Sequence, residues 1–153
     1  MKVRFSNPKT LAPPPGYSYV VETGGKRLRT VYFAGQLGLD LENKLVGAPN
    51  DFRAQCIQAF HNMGLVLKAA GAKWSDLVKI NNYVVDIAAN IATFREIRDQ
   101  YLNTKAPPAS TTIGVPALAR PGALFEIEAI AVLPDRDSKE PKAGKNGKKK
   151  KKK

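Results

Sequence analysis

Residues 106–133 read APPASTTIGVPALARPGALFEIEAIAVL, and this stretch decides the fold. It opens with two prolines, passes through hydroxyl side chains at 110–112 and a Pro-Gly turn, and closes on a long apolar strand. Successive side chains of a strand point to opposite faces, so its two acids, Glu126 and Glu128, share one face. Carboxylates are almost never fully buried without partners, which makes these two the first candidates for function.

The rest of this final strand, predicted over residues 123–133, is apolar on both faces. The face with the acids also carries Leu124, Ile130 and Val132. The opposite face carries Phe125, Ile127, Ala129 and Ala131. A strand with two apolar faces is typical of the middle of a sheet that is covered on both sides. We therefore expect the final strand to be central.

The composition indicates a single globular domain. The chain has 153 residues, of which 43% are hydrophobic, as in an ordinary soluble protein. No apolar run approaches the ~20 residues that a membrane helix needs, so we expect no membrane partner. The N-terminus lacks the apolar segment of a secretory signal. The single cysteine, Cys56, has no partner for an internal disulfide, and the simplest setting is reducing and cytoplasmic.

The positive charge is concentrated at the C-terminus. The net charge is +12, and residues 135–153 hold 10 Lys/Arg against 3 Asp/Glu. We predict a folded domain over residues 1–134 and a disordered, lysine-rich tail over residues 135–153. The tail is either a non-specific attachment to an anionic partner, such as nucleic acid or an anionic surface, or a solubilising extension, native or added.

The N-terminal third predicts a hairpin. Residues 1–17 are proline-rich and are expected to be extended and irregular. Two β-like runs follow, at residues 19–23 and 30–34, with a Gly-Gly turn between them. Gly35 and Gly38 come after the second strand, where they permit a close approach of the backbone to a ligand or to another chain.

The first helix is predicted over residues 50–70, with Asn50 as its N-cap and Gly71 as its C-terminal stop. Its apolar side chains fall on one stripe at helical spacing: Phe52, Cys56, Ala59, Phe60, Met63, Val66, Leu67 and Ala70. This stripe indicates core rather than cofactor contact. His61 flanks it and is the only histidine, so a metal site with several histidine ligands is excluded and we predict no metal.

The remaining elements are a strand at 78–85, a second helix at 90–102 and a strand at 110–115. The predicted order is therefore β-β-α-β-α-β-β. The strands at 78–85 and 110–115 are joined by a right-handed crossover and run parallel, while the first pair and the last pair can be antiparallel. We expect a mixed sheet with both helices on one face.

The second face of that sheet has no element left to cover it. An apolar sheet face does not stay in water without association, so we expect a homo-oligomer whose sheets face one another. Glu126 would then line a crevice between subunits, where burial and the neighbouring Glu128 would raise its pKa and suit it to acid–base chemistry. The alternative is that both acids pair with basic side chains or hydroxyls across the interface.

The chain also resembles a known family. The resemblance rests on four segments: the Pro-Pro-Ala-Ser-Thr-Thr run, the Leu-Ala-Arg-Pro-Gly turn, Glu-Ile-Glu-Ala-Ile-Ala-Val and, earlier in the chain, Phe33-Ala34-Gly35-Gln36. These resemble the Rid family (reactive intermediate deaminases, also called YjgF-type proteins) over residues 16–134. The resemblance implies a chorismate-mutase-like α+β domain that forms a homotrimer with clefts between subunits. It also implies hydrolysis of enamine or imine intermediates to a 2-oxo acid and ammonia, without a cofactor.

The resemblance implies a set of site residues, with departures. Family members carry an arginine directly before the serine that aligns with Ser110, and it holds the substrate carboxylate by a two-pronged contact. This chain has Ala109 there, so the anchor is missing and the substrate choice is expected to differ. A family serine aligns with Ala34. Arg120, in the turn, is a candidate replacement for the lost cation.

The other positions of the family pattern are kept. Tyr17 is implied at the rim of the cleft, Gly35 as a backbone contact, Thr111 as a catalytic hydroxyl, and Glu126 as the acid that orients water or moves a proton. Three functions remain open: a deaminase with altered substrate choice, a non-catalytic protein that binds or scavenges a small molecule, and, with less support, an RNA-binding protein or ribonuclease.

Overall fold

The computed structural model describes residues 2–13, 19–24 and 27–136, and side chains are described for all of these except 2–5, 21 and 23. The elements in chain order are β1 (Lys2–Ser6), β2 (Val20–Gly24), β3 (Leu28–Leu37), α1 (Phe52–Ala70), a short 3-10 turn (Trp74–Asp76), β4 (Leu77–Val85), α2 (Ile87–Tyr101), β5 (Ala109–Val115) and β6 (Phe125–Pro134). The predicted α+β order is confirmed from β2 onward.

Strand β1 corrects the prediction of an irregular N-terminal entry. It pairs antiparallel with β2, in a register that runs from Lys2 opposite Gly24 to Ser6 opposite Val20. The strand forms because its backbone groups bond to the free edge of β2, which is distant in the chain. Residues 2–6 themselves carry no local signal for a strand. The sheet therefore has six strands.

The strand order is β1-β2-β3-β6-β4-β5. The β2–β3 pair is antiparallel and the β4–β5 pair is parallel, as predicted. Strand β6 lies between β3 and β4 and is antiparallel to both, which confirms that it is central. The prediction that the last two strands could pair with each other is wrong. The strand with two apolar faces takes the central place, and the largely exposed β5 is left at the edge.

Helix α1 begins two residues later than predicted. Asn50 has φ 65° and cannot continue a helix, while the side chain of Asp51 accepts a hydrogen bond from Ala54 N at 2.9 Å and so caps the N-terminus. Gly71, at φ 74°, ends the helix in the left-handed conformation as expected. All eight residues of the predicted stripe are buried, and His61 is exposed.

Both helices pack on one face of the sheet, as predicted. Helix α2 starts three residues earlier than expected and buries Phe94 and Ile97. The ring of Phe125 on β6 stacks on Phe60 of α1 at 5.6 Å between centroids and contacts Phe94 of α2 at 5.5 Å. Within the described ranges, neither helix has the length and apolarity to cross a bilayer.

The other face of the sheet, called the open face below, is uncovered by the described residues. On it, the side chains of Leu28, Tyr32 and Ile113 are 59%, 45% and 45% exposed. Along β6, exposure alternates: residues 125, 127, 129, 131 and 133 are buried, whereas 126, 128, 130 and 132 are half-buried. The expectation that one chain cannot cover its own sheet is confirmed for the part of the chain that the structure describes.

The predicted boundary at residue 134 coincides with the end of β6. Asp135 N donates to Arg27 O at 3.0 Å, and the Arg136 guanidinium lies 3.1 Å from Glu22 Oε1 on β2, so the first two residues of the predicted tail still contact the domain. The predicted disorder of the lysine run concerns residues 137–153, which lie outside the described residues, as does Gly25 of the predicted hairpin turn.

Two buried amides of α1 fix the loops that flank the central strand. Gln55 Nε2 donates to Gly122 O at 3.1 Å, and its Oε1 accepts from Leu124 N at 2.9 Å. Asn62 Nδ2 donates to Leu37 O at 3.0 Å and to Leu39 O at 2.8 Å. Helix α1 thereby holds both the end of β3 and the turn that enters β6.

Replacing Asn62 with leucine should destabilise the domain by about 2–4 kcal/mol, because two backbone carbonyls lose their donor in a site from which water is largely excluded. Urea unfolding monitored by circular dichroism measures this. The adjacent exposed substitution His61→Gln is the control and should stay within about 0.5 kcal/mol of the wild type. Equal effects of the two substitutions would contradict the assigned role of Asn62.

Candidate functional site

A bulge in β3 sits beside the two acids. The pairing of β3 with β6 shifts between Phe33 and Gln36, so Ala34 and Gly35 form a bulge inside the strand. The prediction that Gly35 follows the strand is therefore wrong, because β3 continues to Leu37. A Cβ built on Gly35 would lie 1.9 Å from Glu126 Oε1. Glycine leaves the space that the Glu126 carboxylate occupies, and a larger residue would displace that carboxylate.

The two acids have different environments. Glu128 Oε1 accepts hydrogen bonds from Asn81 Nδ2 at 2.7 Å and from Tyr83 Oη at 2.9 Å, both on β4. Glu126 accepts no hydrogen bond from a described residue. Burial, and then the charge of Glu128, raise the pKa of Glu126. The hydrogen bond to Glu128 is the main cause that raises the pKa of Tyr83.

Thr111 lies on the same face as the acids. In the sheet register, Thr111 on β5 pairs with Asn81 on β4, which in turn pairs with Glu128 on β6. The Thr111 hydroxyl accepts a hydrogen bond from Lys79 Nζ at 2.6 Å. Ala109 pairs directly with Lys79 and lies at the exposed edge of this face. The structure therefore puts Glu126 and Thr111 on one face of the sheet, with Gly35 beside Glu126 and with Ala109 two residues before Thr111 on the edge strand.

Ser110 is not part of that surface within one chain. It alternates with Thr111 and lies on the helix side, where its Oγ is 3.3 Å from Nδ2 of Asn82. Asn82 is fully buried and also donates to Thr111 O at 3.1 Å and Thr112 Oγ1 at 3.2 Å. Ser110 thus belongs to a network that fastens β5 to β4.

Two further predicted residues lie elsewhere. Arg120 Nη2 donates to Asn43 O at 2.8 Å, beyond the end of β5 that is remote from Ala109. Tyr17 lies outside the described residues. Tyr19 is the first described residue after Tyr17. Its carbonyl oxygen accepts a hydrogen bond of 2.8 Å from Ala34 N in the bulge.

Lys79, Asn81 and Tyr83 are the residues that sequence reasoning left out of the site. Their alternation along β4 shows that they share a face, but only the placement of β6 beside β4 brings that face to the acids. Lys79 and Asn81 line a depression of about 230 Å³ on the open face, and Tyr83 does not. The other lining residues are Tyr32, Phe33, Glu128, Ala129 and Ile130. Within the described ranges, no three His, Cys, Asp or Glu side chains are grouped to hold a metal ion.

The Glu126 carboxyl should titrate above the ordinary range for glutamate, because burial and the adjacent charge disfavour its ionised form. Carbon-13 NMR of the side-chain carboxyl measures this directly. The substitution Glu128→Gln should lower the Glu126 midpoint, since it removes the charge and keeps the shape. The control Glu96→Gln, on the outer side of α2, should leave it unchanged. An unaltered midpoint in Glu128→Gln would show that the two acids are not coupled.

The chain matches a family model described as "Endoribonuclease L-PSP" over residues 8–133. It is 36% identical over 126 residues to "2-iminobutanoate/2-iminopropanoate deaminase" of Dermatophagoides farinae, and the match covers 80% of this chain and 91% of that relative. It is 35% identical over 130 residues to "RutC family protein" of Aquifex aeolicus, covering 84% of this chain and 97% of that protein.

Solved structures agree with the sequence comparison. RidA from an Antarctic Psychrobacter species has a TM-score of 0.72 at 33% sequence identity, with 84% of this chain and 98% of that chain covered. YyfA from Yersinia pestis, described as a protein of the conserved Rid family, has a TM-score of 0.76 at 29% identity, covering 86% and 100%. With the six-stranded sheet, the two helices on one face and the acids on the other, these matches show that the chain belongs to the Rid family.

Proposed function

We propose that this protein is a Rid-family deaminase that hydrolyses small imines or enamines to a 2-oxo acid, or another carbonyl compound, and ammonia. The observation that carries the proposal is the Glu126 carboxylate, which occupies the space left by Gly35 in the bulge, lacks a hydrogen-bond donor among the described residues and has a raised pKa. Several relatives at 35–38% identity are named 2-iminobutanoate/2-iminopropanoate deaminase.

The reaction consumes one water and changes no oxidation state, so the proposal needs no cofactor. Water attacks the imine carbon and forms a C–O bond, while Glu126 accepts the proton that the water loses. The imine nitrogen takes up a proton. The hydroxyl proton then passes by way of Glu126 to the nitrogen, the C–N bond breaks as the carbonyl forms, and the nitrogen departs as ammonia. A carboxyl group with a raised pKa can both accept and return a proton near neutral pH. The Thr111 hydroxyl orients the water or the leaving nitrogen.

The proposal places the substrate between subunits of a homotrimer. The open face exposes Leu28, Tyr32 and Ile113, and burying such a surface favours association. A subunit seated there would exclude water from Glu126 and raise its pKa further. Ala109, which offers no charge and no donor, supports a substrate choice that differs from that of relatives with an arginine there.

The proposed setting is reducing and cytoplasmic. Cys56 is fully buried within the stripe of α1, and burial raises the pKa of its thiol to about 12. The thiol therefore stays protonated and acts as an apolar core side chain rather than as a reactive group.

The purified protein should have a mass close to three times the 16.7 kDa of one chain, measured by light scattering after size exclusion. Ile113→Asp should shift it toward the monomer, because association would then bury an unpaired charge. Ile57→Asp is a matched control: Ile57 lies on the outer side of α1 and is 44% exposed, against 45% for Ile113. A wild-type chain that stays monomeric would contradict the trimer.

Glu126→Gln should lower kcat/KM for imine hydrolysis by roughly 100-fold or more, the usual effect of removing a general acid–base group. Ammonia release is measured with imines generated in place by an amino-acid oxidase, after correction for spontaneous hydrolysis. Glu96→Gln is the control, since Glu96 lies on α2 and forms a surface ion pair with Arg53. Turnover that is unchanged in Glu126→Gln would refute the assigned role of Glu126.

The same experiment separates the alternatives. A non-catalytic binding protein would show no ammonia above background with any imine and would be stabilised against heat by a small ligand. The family model's description names an endoribonuclease, so labelled RNA belongs in the comparison. RNA binding that disappears on removal of residues 135–153 would show simple electrostatic attachment by the tail.

A further inference from the structure

The two glutamates of the candidate site turn their carboxylates away from each other. The Glu126 carboxylate occupies the space that Gly35 leaves, so it leans from β6 toward β3. The Glu128 carboxylate accepts its hydrogen bonds from β4, at 2.7 Å from Asn81 Nδ2 and at 2.9 Å from Tyr83 Oη, so it leans the opposite way. Neighbouring side chains on one face of a strand start only about 6.6 Å apart, a distance that two glutamates can close. The contacts with β4 therefore decide whether the two carboxyl groups meet.

Tyr83 lies at the position on β4 from which one side chain reaches the rows of both acids. Its Cα partner across the β4–β6 ladder is Glu126, whereas its hydroxyl donates to Glu128, the next residue on that face. The half-buried ring therefore crosses the ladder diagonally, on the β4 side of Glu126. Asn81, by contrast, is the direct Cα partner of Glu128, the acid to which its amide donates. Tyr83 is thus the residue that links the two rows.

Two carboxyl groups that meet share a proton. A protonated carboxyl donates to the neighbouring carboxylate, and the pair then titrates as a unit with the proton held between them. Glu126 has no other donor among the described residues. A free Glu128 carboxylate would be the nearest acceptor for the proton that Glu126 carries, and a proton held there is not available to a water or to a substrate nitrogen.

We propose that Tyr83 is a positioning residue, which holds the Glu128 carboxylate on the β4 side and so leaves Glu126 over Gly35 to exchange protons with water or substrate. The inference rests on the proposed function and adds to it a residue that neither the sequence pattern nor the family resemblance implies. Tyr83 acts through Glu128 and does not itself move a proton in the reaction.

Other ionisable side chains on this face lie further from Glu126. On the open face of β3, β4, β5 and β6, all of which are described, the residues that ionise are Glu126, Glu128, Tyr83, Lys79 and Tyr32. Lys79 and Tyr32 both pair with Ile130, two rows beyond Glu126. The Lys79 ammonium donates to Thr111 Oγ1 at 2.6 Å, on the side of β4 that faces away from β6. Tyr83 and Glu128 are therefore the ionisable neighbours of Glu126.

The substitution Tyr83→Phe keeps the ring and removes the hydroxyl. Glu128 then keeps a single donor, Asn81, and its carboxylate can turn toward Glu126. The Glu126 midpoint in carbon-13 NMR should rise by about 0.5–1 pH unit, the change expected when one charge approaches another by ~2 Å. In imine hydrolysis, kcat should fall roughly 5- to 20-fold with KM within about 3-fold of the wild type, and the low-pH limb of kcat should move up with the Glu126 midpoint.

A double variant separates this role from a purely structural one. In the Glu128→Gln background no charge is left to approach Glu126, so adding Tyr83→Phe should leave the midpoint where Glu128→Gln alone puts it. Tyr101→Phe is the matched control, because it removes a phenol hydroxyl on the helix side, where the Tyr101 ring stacks on Phe60 at 5.0 Å between centroids. It should not move the Glu126 midpoint.

A Glu126 midpoint that does not rise in Tyr83→Phe would overturn the inference. So would an equal rise in the Glu128→Gln background, because the effect would then be independent of the Glu128 charge.

The contact is also tested without a substitution at Tyr83. The hydrogen bond to Glu128 is the main cause that raises the Tyr83 pKa, so Glu128→Gln should lower the Tyr83 midpoint, followed by carbon-13 NMR of the ring Cζ. A Tyr83 midpoint that stays in place would overturn the inference.

Failure of the proposed function is distinguishable from failure of this inference, because the NMR titrations need no substrate. If the wild type hydrolyses no imine, a rise of the Glu126 midpoint in Tyr83→Phe that is absent in the double variant would still uphold Tyr83 as the residue that separates the two acids.

Discussion

Strand β6 is apolar on both faces, and the described part of the chain covers only one of them. On the covered face, Phe125 and Ile127 are fully buried, and the ring of Phe125 packs against Phe60 and Phe94. On the other face the residues between them stay half-buried, with exposed Tyr32 and Ile113 on the neighbouring strands. Each Å² of apolar surface removed from water contributes about 25 cal/mol, so this face favours association. The candidate site lies on the surface where that association would occur.

The two glutamates of the candidate site, Glu126 and Glu128, have different surroundings, and the proposed chemistry depends on that difference. Asn81 and Tyr83 both donate hydrogen bonds to Glu128. Glu126 lies two residues away, over the Gly35 bulge, without a donor among the described residues. Its raised pKa has burial as the first cause and the charge of Glu128 as the second. A carboxyl group whose pKa is raised by burial is suited to proton transfer.

Local signals in the sequence predicted the elements well, and non-local pairing accounts for the differences. The apolar stripe of α1 repeats within a few residues, and the helix ends at the single residue Gly71. Both could therefore be predicted from the local sequence. Strand β1 could not, because its partner is β2, some eighteen residues further along the chain. Asn50 was misassigned as a cap because its left-handed φ depends on the loop that precedes the helix.

The same distinction applies to the site. Alternation alone placed Glu126 and Glu128 on one face and predicted that β6 would be central. The structure puts Ser110 and Thr111 on opposite faces of β5, whereas the family resemblance implied Ser110 for substrate binding and Thr111 for catalysis in one site. Tyr83 could not be recognised from its own strand, because its relevance comes from pairing with Glu126 and from its contact with Glu128.

By itself, the sequence determined the helices, the strand faces and the apolar character of both faces of β6, since these follow from side-chain period and from caps that span a few residues. Only the tertiary structure decided that β6 enters between β3 and β4. That order places the acids of β6 beside the amide, phenol and ammonium of β4, and it depends on hydrogen bonds between segments that are distant in the chain.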